Sequence, residues 1–212
     1  VDPDDVRRQW TERSGEFSPA YYAYYGPNET SESIRGLLER YVGADAAILE
    51  LGCGSGRHLS HLHEHGFENL NGVDINEDAF EVMEDVYPDL AARGTFHADA
   101  IENVVASFDD GRFDAIFSVE TLQHLHPDDE RVFEELSRIV DDLLITVENE
   151  GGDERAVQTE PAVNDVEYDF PLYYRNWKRV FAEVGFTEIE SERGERDTLR
   201  VLRRVGGDRR RA

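Results

Sequence analysis

Residues 48–66, ILELGCGSGRHLSHLHEHG, set an apolar run directly against glycines at 52, 54 and 56 and follow them with a histidine-rich amphipathic stretch. The apolar run predicts a buried strand and the stretch from Gly56 onward predicts a helix, so the three glycines fall in the turn between them. Strand, glycine turn and helix in that order suit a loop that cradles a nucleotide-type cofactor, because a residue without Cβ lets a ligand approach the backbone. A dinucleotide fingerprint would place its third glycine at position 57, which is Arg57, so the spacing is GxGxG and not GxGxxG.

Outward from this turn, short apolar runs alternate with amphipathic ones. AAILELG, LNGVDI, TFHADA, FDAIFSV, DLLITVEN, TEIESER and TLRVLRRV are expected strands, and GRHLSHLHEHG, EDAFEVMEDVYPDLAARG, DDERVFEELSRIV and PLYYRNWKRVFAEVGF are expected helices. The alternation predicts an α/β fold: a mostly parallel sheet with helices on both faces, whose last two strands are close enough to form an antiparallel hairpin. Upstream, SESIRGLLERYV predicts a helix capped by Ser31, and residues 1–45 read as a helical, aromatic lid ahead of a domain over residues 46–205. Gly66, Gly94 and Gly185 follow helical stretches and suit left-handed C-caps. Residues 150–168 lack periodicity and read as a long loop, and the basic tail 206–212 reads as disordered.

Charge narrows the partners. The 47 acidic residues against 22 basic ones give a formal net charge of −25, and Lys178 is the only lysine. With a Debye length of about 10 Å at 0.1 M salt, neighbouring surface charges repel in dilute buffer and are quieted by concentrated salt. The composition resembles that of proteins from salt-accumulating, halophilic archaea. Nucleic acid is disfavoured as a partner, since phosphate binding needs a basic footprint. No apolar run approaches the roughly 18 to 20 residues of a membrane span, and no secretory leader is visible. Cys53 is the only cysteine, which excludes an internal disulfide and a multi-cysteine zinc site. A soluble cytoplasmic protein is expected, of an oligomeric state that the sequence leaves open.

Three carboxylates stand at or beside the ends of expected strands. Glu50 lies beside the glycine turn, where it would repel a pyrophosphate and stabilise a cation. Asp74, in LNGVDI, can accept hydrogen bonds from both hydroxyls of a ribose. Asp99, in HADA, can accept from an exocyclic amino group such as that of adenine, with the Ala100 N–H available to a ring nitrogen.

In order and spacing, LELGCGSG, GVDI, HADA and FDAIFSVETLQHLHP resemble the motifs of the class I S-adenosylmethionine-dependent methyltransferases over about residues 46–148, and YYRNWKRVFAEVGFTEIES looks like the late helix and strand of that fold. The resemblance implies a Rossmann-like, seven-stranded sheet with the last strand antiparallel and S-adenosylmethionine across the carboxyl ends of the first strands. It places Glu50, Gly52, Gly54 and Gly56 at the methionine part, Asp74 at the ribose, Ile75 on adenine, Asp99 and Ala100 at the edge of the base, and Ser118 at the pocket floor. It also implies in-line methyl transfer to O, N or C of a small organic acceptor. A non-catalytic module that binds the same cofactor stays open as an alternative. The Asn/Asp-Pro-Pro-aromatic stretch that this fold shows for nucleobase amino groups reads SVET here, and the clustered Asp and Asn of divalent-metal catechol sites are absent from that region.

His58, His61 and His65 share one stripe of the helix after Gly56, a stripe that could bind a metal; beside Leu59 and Leu62 they read instead as a polar flank, and no metal site is expected. His124 occupies the place after the fourth strand at which many small-molecule members of the resembled family have a histidine. A neutral imidazole there could take a proton from the acceptor or merely pack against the cofactor, and Glu120 is a weaker candidate for the same role. In that family acceptor contacts come mostly from segments outside the shared core. Here those segments are SPAYYAYYGPNETS and DVEYDFPLYYRNW, which makes Tyr22, Tyr25, Tyr173 and Trp177 candidate acceptor contacts.

Overall fold

The computed structural model describes residues 2–151, 162–164 and 171–206. Its strands are β1 (Ile48–Leu51), β2 (Leu70–Asp74), β3 (Thr95–Ala98), β4 (Phe113–Val119), β5 (Val140–Asn149), β6 (Ala162–Asn164), β7 (Leu172–Tyr174), β8 (Phe186–Arg193) and β9 (Asp197–Arg204). Seven of them form one sheet in the order β3-β2-β1-β4-β5-β9-β8, while β6 and β7 pair separately. Neighbours from β3 to β5 run parallel, and β9 runs antiparallel between β5 and β8. This is the expected α/β, Rossmann-like sheet, with the last strand of the chain antiparallel and hairpin-linked to the one before it.

Successive side chains of a strand point to opposite faces, so a parallel sheet buries two apolar surfaces and needs helices over both. Leu49, Leu51, Ile116 and Leu144 pack on one side with residues of α7 (Ile101–Val105), α8 (Arg131–Ile139) and α9 (Trp177–Glu183). Ile48, Ala115, Phe117, Ile145 and Val201 pack on the other with residues of α3 (Glu29–Tyr41), α4 (Arg57–Glu64), α5 (Asp78–Val86) and α6 (Pro88–Arg93). α8 buries Val132, Phe133, Leu136 and Ile139, one stripe of a helix with 3.6 residues per turn.

The helix ends differ from the sequence reading for local reasons. α3 is capped by Asn28 and not by Ser31: the Asn28 side chain accepts from Ser31 N, and Ser31 Oγ accepts in return from Asn28 N. EDAFEVMEDVYPDLAARG is two helices, because Pro88 has no N–H with which to continue α5 and instead opens α6. Residues 101–105, to which no element was assigned, form α7. PLYYRNWKRVFAEVGF is not one helix: Leu172–Tyr174 are extended as β7, and α9 begins after Asn176, whose side chain accepts from Arg179 N. Gly66 and Gly185 take the expected left-handed φ, 89° and 95°, but Gly94 is extended at −76°, and a Cβ on it would meet the Phe96 ring at 2.5 Å. The expected disordered tail beyond residue 206, and most of the expected loop over 150–168, lie outside the described residues.

β1 is the strand at which the chain order reverses, with β2 on one side and β4 on the other. Crossovers leave such a strand in opposite directions and open a crevice at the carboxyl ends, where open α/β sheets bind their ligands. Two N-terminal helices, α1 (Pro3–Thr11) and α2 (Pro19–Tyr25), contribute Pro3, Val6, Arg7, Trp10, Pro19 and Tyr22 to the lining of that crevice. Among the described residues no helix is long and apolar enough to cross a membrane.

Candidate active site

Beyond Leu51 the chain turns through Gly52, Gly54 and Gly56 with φ of 67°, 52° and 83°, a region that residues with side chains rarely adopt. A Cβ on Gly52 would lie 2.2 Å from Thr121 Oγ1, and one on Gly56 would lie 2.9 Å from Met83 Cε. One on Gly54 would meet nothing within 4 Å. Packing therefore demands the outer two glycines, while the middle one stands at the open cavity.

Two acids flank the turn. Glu50 is buried, and its Oε2 has no hydrogen-bond partner among the described residues. Burial raises its pKa well above the carboxylate range; the Arg57 charge opposes that rise and the Asp74 charge adds to it. Asp74 ties the turn to the end of β2, accepting from Gly54 N at 2.7 Å through Oδ2 and from Asn76 N at 2.9 Å through Oδ1. Burial raises its pKa as well, against the pull of those two N–H groups. Each carboxylate oxygen retains a second lone pair for a ligand hydroxyl. Arg57 lies over the Tyr22 ring, 4.7 Å from its centroid, and donates Nε to His58 Nε2 at 3.2 Å.

The opposite wall follows β4. Glu120 has a φ of 49°, a rare value away from glycine, and a turn of 3₁₀ helix covers Leu122–His124. Glu148, fully buried at the end of β5, holds this segment. Its Oε1 accepts from Ser118 Oγ (2.6 Å), Thr121 N (3.3 Å) and Leu122 N (3.2 Å), and its Oε2 accepts from Gln123 N (3.2 Å). Burial pushes its pKa up to about 7 in spite of those donors. His124, set in place by this clamp, meets Trp10 edge-on with ring centroids 4.6 Å apart. Its Nδ1 stands 3.2 Å from the carbonyl oxygen of Pro171, which can only accept, so Nδ1 carries the proton and Nε2 keeps its lone pair. Burial lowers its pKa to about 4, leaving the imidazole neutral at pH 7.

Of the residues expected from sequence, Glu50, Gly52, Gly54, Asp74, Ile75, Ala100, Tyr22 and His124 line one cavity, as does Glu120. Gly56 shapes the turn without lining the cavity. Asp99 is exposed and off the cavity wall; its Oδ1 accepts from Ala100 N at 2.7 Å, so the N–H expected to serve a ring nitrogen is already engaged. Ser118 lies within the sheet as a donor to Glu148 and does not line the cavity. Tyr25 is exposed, whereas Tyr173 and Trp177 are buried, Trp177 stacking on Phe181 beside α8, and none of the three lines the cavity. Tyr168 and Phe170, in the second aromatic segment, lie outside the described residues.

The sequence reading missed Arg7, Trp10, Asn76 and Glu148 and gave Arg57 no place in the site. Pro3, Val6, Arg7 and Trp10 recur at i, i+3, i+4 and i+7 behind an Asp2 cap, a helical signal hidden in a polar segment. Arg7 fastens this helix over the cavity, pairing with Glu102 and, at 2.7 Å, with Asp129. The histidine stripe also divides: His58 is buried, its pKa lowered to about 3, and bonds Ser31 Oγ at 2.7 Å, while His65 is exposed.

Residues 48–142, from β1 into β5, match the methyltransferase domain family. EEF1A lysine methyltransferase 2 of Danio rerio is 33% identical over 63 residues, 30% of this chain and 27% of that protein. An O-methyltransferase of Penicillium expansum is 26% identical over 137 residues, 58% of this chain and 50% of that protein. The chain thus spans between about a quarter and a half of the length of these curated relatives. The 1,6-didemethyltoxoflavin-N1-methyltransferase of Burkholderia thailandensis, solved with 1,6-didemethyltoxoflavin and S-adenosylhomocysteine, has a TM-score of 0.66 at 15% identity, covering 97% of this chain and 91% of its own. At that identity the likeness is one of fold. S-adenosylmethionine is the cofactor of such methyltransferase domains, and the residues here fit it: an unpartnered acid oxygen on Glu50, a turn open to close approach at Gly54, and Asp74 beside both.

Proposed function

We propose that this chain is an S-adenosylmethionine-dependent methyltransferase that acts on O, N or C of a small organic acceptor. Glu50 carries the reading. A buried polar atom left without a partner costs about 1–3 kcal/mol, and the Glu50 Oε2 at the foot of the glycine turn is such an atom. A carboxylate there stabilises an ammonium or sulfonium and opposes a diphosphate. In this reading Asp74 takes the ribose hydroxyls, Ile75 packs on adenine with Ala100 beside it, and Arg57 meets the methionine carboxylate.

Bound S-adenosylmethionine supplies a methyl group on a cationic sulfur that leaves readily. The chain's own residues hold the reactants in line and keep water out, the main requirements of such a displacement. Trp10, Phe17 and Tyr22 roof the cavity from the N-terminal segment, and Arg7 pins that roof to Glu102 and Asp129. The Nε2 of His124 accepts a proton from a hydroxyl or amine acceptor, with Glu120 in the same wall. A roofed aromatic cavity suits a small molecule over a polymer, and the charge of −25 disfavours nucleic acid and suits a salt-rich cytoplasm.

The experiment is calorimetric titration with S-adenosylmethionine and with NAD in concentrated KCl, followed by measurement of S-adenosylhomocysteine release with fractionated metabolites. Binding of S-adenosylmethionine alone, and turnover with an acceptor fraction, is the expected result. Binding of NAD alone overturns the reading, and binding without turnover by any fraction reduces the chain to a non-catalytic binding module.

A further inference from the structure

The histidine stripe of α4 ends far from any role in the cavity, since neither His61 nor His65 lines it. α3 and α4 lie against each other and are joined by the buried Ser31 Oγ to His58 Nδ1 bond of 2.7 Å. One turn further along α4 is His61, and one turn beyond that is His65, with the two rings 4.4 Å apart between centroids. Glu32, the neighbour of Ser31 on α3, brings Oε2 to 2.9 Å from His61 Nε2. One ligand-type atom from each of the three residues lies within 4.8 Å of the others. We propose that Glu32, His61 and His65 form a divalent transition-metal site, suited to zinc, that cross-links α3 to α4.

The donor set selects the ion. Two imidazoles and one carboxylate are a common complement for zinc, with water in the fourth position, whereas calcium and magnesium require oxygen ligands throughout. The outermost histidine is oriented for the task. His65 Nδ1 lies 2.8 Å from the carbonyl oxygen of His61, an acceptor only, so Nδ1 holds the proton and Nε2 presents its lone pair. A backbone carbonyl on the non-ligating nitrogen is the usual support of a metal-binding histidine. Zinc bonds of about 2.0–2.2 Å put ligand atoms roughly 3.3 Å apart, so the three residues must draw together slightly. Glu32 and His65 are exposed, which leaves their side chains room to move.

Arg35 is the competing charge, donating to both oxygens of Glu32 at 2.6 and 2.9 Å. It also holds Glu39 at 2.6 Å, so it has a second carboxylate to retain it if Glu32 turns toward a metal. The net charge of −25 raises the local concentration of cations around the whole molecule. The consequence of occupancy is mechanical. α3 follows the roof helix α2, and α4 begins at the glycine turn, so a metal here fastens the stem of the roof to the helix that carries the loop.

The inference is independent of the methyltransferase reading and is tested without activity. The 212-residue chain is stripped with a chelator and titrated calorimetrically with zinc chloride, alongside His61→Gln, His65→Gln and Glu32→Gln. One equivalent binding in the micromolar range is expected, weakened ten-fold or more by either histidine change and less by the glutamate change. Zinc should raise the melting temperature of the parent and not that of a His61→Gln, His65→Gln double variant. Melting in chelator establishes that the variants fold as the parent does. Absence of binding at millimolar zinc, or affinity unchanged in both histidine variants, overturns the site. Should a variant misfold, anomalous scattering from zinc-soaked crystals of the parent decides: a peak between His61 and His65 supports the site and a peak elsewhere overturns it.

Discussion

Glu148→Gln preserves the shape of the side chain that holds residues 118–123 and abolishes its titration. In the folded chain the carboxyl has a pKa of about 7, against an ordinary value of 4.5, because it is buried. Between those values the folded protein keeps a proton that the unfolded chain has released, so stability falls as pH rises from about 4.5 to 7 and is level above that. At about 1.36 kcal/mol for each pH unit, the full difference is about 3 kcal/mol. The amide has no proton to exchange. Urea unfolding of parent and variant, at constant high salt from about pH 5 to pH 8, should therefore show a stability difference that slopes with pH by about 2–3 kcal/mol. The parent gains its advantage, or loses its disadvantage, at the acid end. Glu50 and Asp74 titrate in both proteins and drop out of the difference. A pH-independent offset of about 1–3 kcal/mol is also expected, since the amide nitrogen cannot accept from one of the backbone N–H groups that the carboxylate serves. A difference constant across the range to within about 0.5 kcal/mol would show that Glu148 ionises in the folded chain as it does in the unfolded one, and would refute the claim that its burial outweighs the donors bonded to it.

Gly52→Ala and Gly54→Ala should separate packing from ligand access. The first adds left-handed strain of about 1–2 kcal/mol and a clash at 2.2 Å with Thr121, lowering stability by about 2–5 kcal/mol in thermal or urea unfolding. The second adds strain alone, so it should weaken S-adenosylmethionine binding by more than it weakens the fold; equal losses would contradict the assignment of Gly54 to the ligand. Glu50, whose pKa is raised when no cation faces it, should release a proton as S-adenosylmethionine binds, so affinity rises with pH up to that raised pKa. Calorimetry in buffers of different ionisation enthalpy should detect the release in the parent and not in Glu50→Gln, and identical proton release in both would rule it out. With a net charge of −25, the unfolding midpoint should climb with KCl; a midpoint that falls as salt is added would remove self-repulsion as the controlling force.

The sheet was legible because its signal is local: β1, β2, β4 and β5 each carry a short apolar run, and the glycine turn, Asp74 and Ile75 follow directly from strand ends. The side of the cavity formed by Glu50, the glycine turn, Asp74 and Ile75 was readable for the same reason. What the sequence concealed depends on contacts between distant residues. Trp177 and Tyr173 have the same aromatic character as Tyr22, and only packing shows that they belong to the core while Tyr22 reaches the cavity. Glu148 reads as the polar end of a strand, and nothing along the chain reveals that three N–H groups 25 to 27 residues earlier converge on it. Asp99 erred in the other direction: an acid at a strand end with a nearby N–H to bond can satisfy itself locally, as its bond to Ala100 shows.

The convergence on Glu148 has a chemical implication of its own. Successive amide N–H groups aimed at one point are how many enzymes receive an alkoxide or a phosphoryl oxygen. In this fold the feature faces inward, occupied by a carboxylate from its own chain. The transfer proposed for this chain, which begins with a sulfonium and ends with a neutral thioether, disperses charge and creates no oxyanion, so it would leave these donors free to serve as scaffolding. Chemistry that builds negative charge on the acceptor, such as acyl or phosphoryl transfer, would require a receptor that this wall has already closed.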